Sequence, residues 1–81
     1  MTIVFSDRAA KALADAPAGV QRAFHKQLRF LEVNLQHPSL RAKKYGEAND
    51  IWQARINRGW RFYFVIEGHR YIITNVSPHP R

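Results

Sequence analysis

The sequence predicts one α+β domain spanning residues 1–81, in the order strand, helix, helix, long connection and three strands (β-α-α-β-β-β). Three observations carry that expectation. A β-branched run opens the chain, apolar residues recur every three or four positions between Val20 and Leu35, and from Trp52 onward the apolar period falls to two. At 81 residues only a single small core can form, and 46% hydrophobic residues with 12% aromatic are too many for a disordered chain.

Each element has a local reason. Thr2 to Phe5 (TIVF) suits a strand, and Ser6-Asp7 interrupts it with residue types that cap helices. A short first helix follows, its narrow stripe made by Ala9, Ala10, Leu13 and Ala14, and Pro17-Ala18-Gly19 ends it. The second helix is expected from about Ala18 to Leu35. Val20, Phe24, Leu28, Leu31 and Leu35 fall on one buried face, leaving Arg22, Lys26 and Arg29 off the stripe, toward solvent or a partner. Pro38 closes the helix, because the residue before a proline avoids helical backbone. Residues 36–50 (QHPSLRAKKYGEAND) have no period and read as one long loop, of the kind that is more often functional than ornamental.

After that loop Trp52, Ala54 and Ile56 alternate with Gln53, Arg55 and Asn57, and Trp60, Phe62, Phe64 and Ile66 alternate with Arg61, Tyr63 and Val65. These are two strands of a hairpin. A two-residue loop at Arg58-Gly59 would set Ile56 against Arg61 and Arg55 against Phe62, mixing polar and apolar side chains on both faces. A three-residue loop, Asn57-Arg58-Gly59, instead pairs Ile56 with Trp60, Ala54 with Phe62 and Trp52 with Phe64. It also puts Gly59 where such loops want a left-handed residue. On the other face Arg55 then stands opposite Arg61, and Gln53 opposite Tyr63. Paired cations cost a few tenths to ~1 kcal/mol unless an anion sits between them or the side chains splay into water. A last strand from about Arg70 to Val76 follows a Glu67-Gly68-His69 turn. Either Ile72, Thr74 and Val76 or Tyr71, Ile73 and Asn75 would face the helices.

Thirteen Lys and Arg against six Asp and Glu give a net charge of +7, most of it beyond residue 40, a balance suited to a polyanion. The absence of cysteine excludes disulfides, thiolate zinc sites and a cysteine nucleophile. His25, His37, His69 and His79 lack metal-ligand spacing, no Gly-rich phosphate loop is present, and carboxylates are few, so no metal or cofactor is expected. No apolar run approaches the ~20 residues of a membrane span and no signal-peptide pattern opens the chain, so a cytoplasmic protein with no membrane partner is expected. The remaining chemistry is basic. Arg55 and Arg61 on an open sheet face, Lys43 and Lys44 before it, Tyr63 as a base-stacking side chain and His79-Pro80-Arg81 at the end are suited to a phosphodiester. RNA is cut without metal when its own 2′-hydroxyl attacks the adjacent phosphate, with cations on the pentacovalent state and His79 moving protons.

In its order of elements, in the stretch LRAKKY leading into DIWQARINRGWRFYFVI, and in the ending NVSPHPR, the chain resembles the RelE/ParE superfamily of toxins from bacterial type II toxin-antitoxin systems. The resemblance covers essentially the whole chain and is densest over residues 40–81; its hallmark is the Gly-aromatic-Arg triplet Gly59-Trp60-Arg61. It implies a four-stranded, mostly antiparallel sheet with two helices on one face and the active site on the other. In RelE-like members that open face cleaves ribosome-bound mRNA and so inhibits translation; the aligned positions are Gln53, Arg55, Arg61 and the segment from His79 to Arg81. Related nucleases often carry a cation where Gln53 stands, and a Tyr or His-Tyr pair near the end where this sequence has His79 and Arg81. ParE-like members lack the nuclease site and poison DNA gyrase, which is one alternative; a non-catalytic module binding nucleic acid or an antitoxin is another. The resemblance further implies a cognate acidic antitoxin with a helix near Arg22, Lys26 and Arg29, operator DNA being reached only through that antitoxin.

Overall fold

The computed structural model describes residues 1–45 and 50–79. The expected RNA contact Arg81 lies outside the described residues. Strand β1 (Thr2–Phe5) leads into α1 (Asp7–Ala14) and α2 (Ala18–Val33), followed by a one-turn 3₁₀ helix (Pro38–Leu40) and strands β2 (Lys43–Lys44), β3 (Trp52–Asn57), β4 (Trp60–Glu67) and β5 (Arg70–Pro78). They form one sheet in the order β1-β5-β4-β3-β2, antiparallel except where β1 runs parallel to β5. The α+β architecture is as expected. The sheet has five strands rather than four, because the connection between α2 and β3 is not structureless: Leu40 buries itself completely at the end of the 3₁₀ turn, and Lys43 and Lys44 then pair with Gln53 and Trp52.

The Ser6 hydroxyl accepts from the Ala9 amide at 3.1 Å and caps α1, as its residue type suggests. Helix α2 buries Val20, Phe24, Leu28 and Leu31, and stops at Val33, short of Leu35. Its end is set by Asn34, which turns extended and whose Oδ1 accepts from the Gln36 amide at 2.9 Å. Phe24 packs edge-on to Phe5 at 5.9 Å and against Phe62 at 5.0 Å, joining α2 to β1 and β4. Ala9, Ala54, Ile56, Phe62, Phe64, Ile73 and Val76 complete one core between the helices and one sheet face. No described helix is long and apolar enough to cross a membrane.

The hairpin register is as expected over most of its length: Trp52 opposes Phe64, Gln53 opposes Tyr63, Ala54 opposes Phe62 and Arg55 opposes Arg61. The tip is not. Asn57, rather than Ile56, opposes Trp60, so the turn holds two residues and the extra residue is a bulge at Ile56. Gly59 accordingly avoids the left-handed conformation, which Arg41, Asp50 and Gly68 adopt among the described residues. The turn is closed by the Asn57 side chain, which accepts from the Gly59 amide at 2.9 Å, and the bulge lets Ile56 stay buried. A second bulge interrupts β4 and β5 between Tyr63 and Phe64. It switches the phase of β5, so that Tyr71 and Ile73 face the core before it and Val76 after it. Neither uninterrupted alternation of the last strand is therefore realised.

Candidate functional site

The sheet face turned away from the helices is organised in two cross-strand rows. Lys43 opposes Gln53, Gln53 opposes Tyr63 and Tyr63 opposes Asn75. In the next row Arg55 opposes Arg61 and Arg61 opposes Ser77. Directly opposed residues share a face. The chain end returns beside this second row, where the His79 amide donates to the Gly59 carbonyl at 2.7 Å and ties the residue after β5 to the hairpin tip.

Arg41, Lys43, Gln53, Arg55, Arg61 and His79 together line a cleft of about 210 Å³. Among the described residues its lining holds four cations and no carboxylate. Among the described residues ion pairs form only elsewhere, between Lys44 and Asp50 at 3.3 Å and between Arg70 and Glu67 at 2.7 Å. Arg61 is held by neutral groups: Nη1 donates to the carbonyls of Asn57 at 2.7 Å and Trp60 at 2.9 Å, with a longer contact of 3.5 Å to Arg58. Burial holds this guanidinium below its ordinary value, Arg55 presses it the same way, Tyr63 opposes the shift and Arg41 adds to it. An arginine remains a cation at neutral pH even so. The result is a concentrated positive potential with no counter-charge among the described residues, and one that a phosphate would relieve.

Two supports were not legible in the sequence. The first is Gln27, a buried polar residue on α2, whose Nε2 donates to the carbonyls of Arg55 at 2.7 Å and Ser39 at 2.9 Å while Oε1 accepts from the Ser39 hydroxyl at 3.0 Å. It clasps the edge of β3 and the 3₁₀ turn to the helix, fixing Arg55 from behind. Gln27 falls between Phe24 and Leu28 on the buried side of the helix, the one signal that would have found it. The second is Arg41, which follows the 3₁₀ turn at φ 47° and ψ 42°, a left-handed conformation that costs an L-residue about 1–2 kcal/mol. The basic cluster was visible in LRAKKY; that this turn aims Arg41 at Arg55 was not.

The expected site residues therefore separate. Arg55, Arg61, His79, Lys43 and Gln53 are brought together, and Tyr63 borders them on the same face. Lys44 is not with them. It opposes Trp52, on the other face of the sheet, and its Nζ is paired with Asp50. Arg22, Lys26 and Arg29 are all exposed on α2. Lys26 alone of the three approaches the site, lining with Arg41, Arg55 and Arg58 a second cleft of about 510 Å³ beside the part of β3 that β2 does not cover.

Two helices over a five-stranded sheet is a fold that this chain shares with solved structures of RelE, YoeB and ParE toxins. A YoeB/ParE toxin from Agrobacterium tumefaciens superposes with a TM-score of 0.82 at 14% identity, over 99% of this chain and 100% of that one. The archaeal RelE–RelB complex from Pyrococcus horikoshii contains a chain that matches at 0.80 and 19% identity, over 99% and 96%. The isolated E. coli RelE toxin matches at 0.78 and 17%, over 99% and 85%. No protein-family model matches the sequence, and no curated protein matches it.

Proposed function

We propose that this chain is the toxin of a type II toxin-antitoxin module, a metal-independent endoribonuclease that cleaves mRNA on the ribosome and halts translation. The observation that carries the reading is the cleft, free of carboxylates among the described residues, in which Arg55, Arg61 and His79 meet beside Arg41 and Lys43. A phosphodiester seated between Arg55 and Arg61 relieves their mutual repulsion. The preceding 2′-oxygen then bonds to phosphorus as the bond to the 5′-oxygen breaks, leaving a 2′,3′-cyclic phosphate and a 5′-hydroxyl. The proton of the 2′-hydroxyl passes to solvent, protonated His79 supplies one to the departing 5′-oxygen, and the two guanidinium groups hold the extra negative charge of the pentacovalent state. Lys43 and Arg41 hold flanking phosphates, and Gln53 supplies a neutral contact where related nucleases often place a cation.

The toxin reading implies an antitoxin, and the Pyrococcus neighbour is itself a RelE–RelB complex. An acidic segment of such a partner would lie along Arg22, Lys26 and Arg29 and reach the cleft around the β3 edge, where Lys26 adjoins Arg41 and Arg55. The test is two-part. In a translation extract, transcripts should be cut within translated codons and spared when initiation is blocked. On purified RNA at high protein concentration, excess EDTA should leave the rate unchanged. Intact transcripts together with DNA-trapped gyrase would replace this reading with the ParE-like one, and salt-sensitive RNA binding without any cut product would reduce it to a binding module.

A further inference from the structure

We infer that a second cleft on the open face is a nucleobase pocket, taking the base of the nucleotide whose phosphate sits between Arg55 and Arg61; the inference rests on the nuclease reading. The cleft measures about 650 Å³, and its lining includes Arg8, Tyr45, Tyr63, Val65, Asn75 and Ser77. It adjoins the cationic cleft through the row in which Gln53, Tyr63 and Asn75 stand side by side. Arg61 and Tyr63 are two residues apart on one strand and face the same way, so they are separated by roughly 6.6 Å of strand rise. That lies within the span of one nucleotide from its phosphate to its base.

The wall chemistry suits a base. Tyr63 presents a half-buried ring, and the Tyr45 ring meets it edge-on at 5.2 Å and 69°, leaving an aromatic face with a side wall. Amides flank Tyr63 on both sides, and among the described residues no hydrogen bond is found to the side chain of either Gln53 or Asn75. An amide offers a donor and an acceptor side by side, the complement of a base edge that offers the reverse.

Asn75 is there because of the bulge. If the pairing of Phe64 with Ile73 continued without interruption, Asn75 would oppose Phe62 and point into the core. The extra residue instead places Asn75 opposite Tyr63 and restores Val76 to the core. Thr74 secures this geometry, its hydroxyl donating to the Tyr63 carbonyl at 3.3 Å while its own carbonyl accepts from the Ser6 hydroxyl at 3.3 Å. A bulge next to an active site characteristically re-aims one side chain, and here the re-aimed side chain is the free amide.

The experiment uses the full chain and short RNAs that differ only in the base attached to the nucleotide at the cleaved bond. Single-turnover cleavage is measured, and binding is measured on copies made uncleavable by one 2′-deoxy substitution. In the wild type the four bases should differ by roughly tenfold or more, the value of a good bidentate amide contact. Asn75→Ala should bring the four within about threefold by lowering the favoured base. Asn75→Asp, which keeps the shape and removes the donor, should change the ranking; it also guards against an Ala variant that distorts the bulge. Tyr63→Leu should weaken binding of all four alike by about tenfold, and Tyr63→Phe should restore it. Equal rates and affinities for the four bases in the wild type, or an unchanged spread in both Asn75 variants, would overturn the proposal. Base-dependent binding that Asn75 controls, without any cleavage, would uphold the pocket and overturn the nuclease reading alone.

Discussion

Arg61→Ala should leave the protein folded and slow cleavage about a hundredfold. The stability side follows from what the guanidinium touches. Its two short bonds go to the carbonyls of Asn57 and Trp60, and hydrogen bonds from a charged donor contribute about 1.5–3 kcal/mol. These carbonyls lie at a hairpin tip where water can replace the donor, so the lower end applies. Against that loss stands the relief of Arg55, directly opposite, by up to ~1 kcal/mol. Two bonds at that lower end less this relief leave a net loss of about 2 kcal/mol, a fall in Tm of roughly 8–16 °C for a domain of this size. The activity side is larger, because losing one charge-assisted contact to a developing oxyanion costs about 3 kcal/mol. Arg61→Lys should fall between the two, keeping the charge but not the fork that spans carbonyls and phosphate together. Thermal melts and single-turnover cleavage on the same preparations are the assay. A folded Arg61→Ala protein that cuts at the wild-type rate would refute the reasoning, and a chain unfolded at 25 °C would show that the carbonyl bonds carry the hairpin rather than merely orient the cation.

Gln27→Leu should cost about 2–3 kcal/mol by urea denaturation, since it strips the Arg55 carbonyl and both Ser39 groups of their partner in a buried clasp. Arg41→Gly should stabilise the fold by up to ~1 kcal/mol, because glycine takes the left-handed turn without strain, while lowering the salt slope of single-stranded RNA binding by ~0.7. Lys43→Ala should lower that slope by the same ~0.7, whereas Lys44→Ala, on the opposite face, should leave it unchanged in the same titration. A slope that responds to Lys44 and not to Lys43 would reverse the assignment of the two faces.

The elements that could be read in the sequence are those whose side chains repeat with a local period. The α2 stripe and the alternation from Trp52 to Ile66 each specify which side is buried, and burying one side fixes the register of Arg55 against Arg61. The parts that escaped are single-residue departures from a period. Bulges at Ile56 and between Tyr63 and Phe64 add one residue each, and no periodicity announces them: the first moved the extra residue expected in the turn onto β3, and the second joined the two alternations open for β5 into one. Lys43-Lys44 is too short for alternation to show, so which of the two lysines joins the cleft could only come from their partners, Gln53 and Trp52. Gln27 escaped because a polar residue beside an apolar stripe is normally a boundary residue; its burial depends on carbonyls from β3 and the 3₁₀ turn, 28 and 12 residues away in sequence.

Among the described residues, neutral groups anchor the cleft. Hairpin carbonyls hold Arg61, the Gln27 amide holds the Arg55 backbone, a left-handed turn holds Arg41, and the Gly59 carbonyl holds the backbone of His79. Had carboxylates done this work, the guanidinium groups would be fixed as firmly, but their potential would be spent inside the protein. Neutral anchors position the cations and leave their charge directed at whatever enters. The cost is a like-charge pair that the fold must tolerate when the site is empty, and that cost falls when an anion binds. Binding an anion and stabilising the fold are therefore the same free-energy change seen from two sides. This coupling does not distinguish a phosphate from a carboxylate, so an acidic partner that brings negative charge around the Lys26 edge of β3 would relieve the same repulsion as the proposed RNA substrate. It can compete with RNA without reproducing a single one of its contacts.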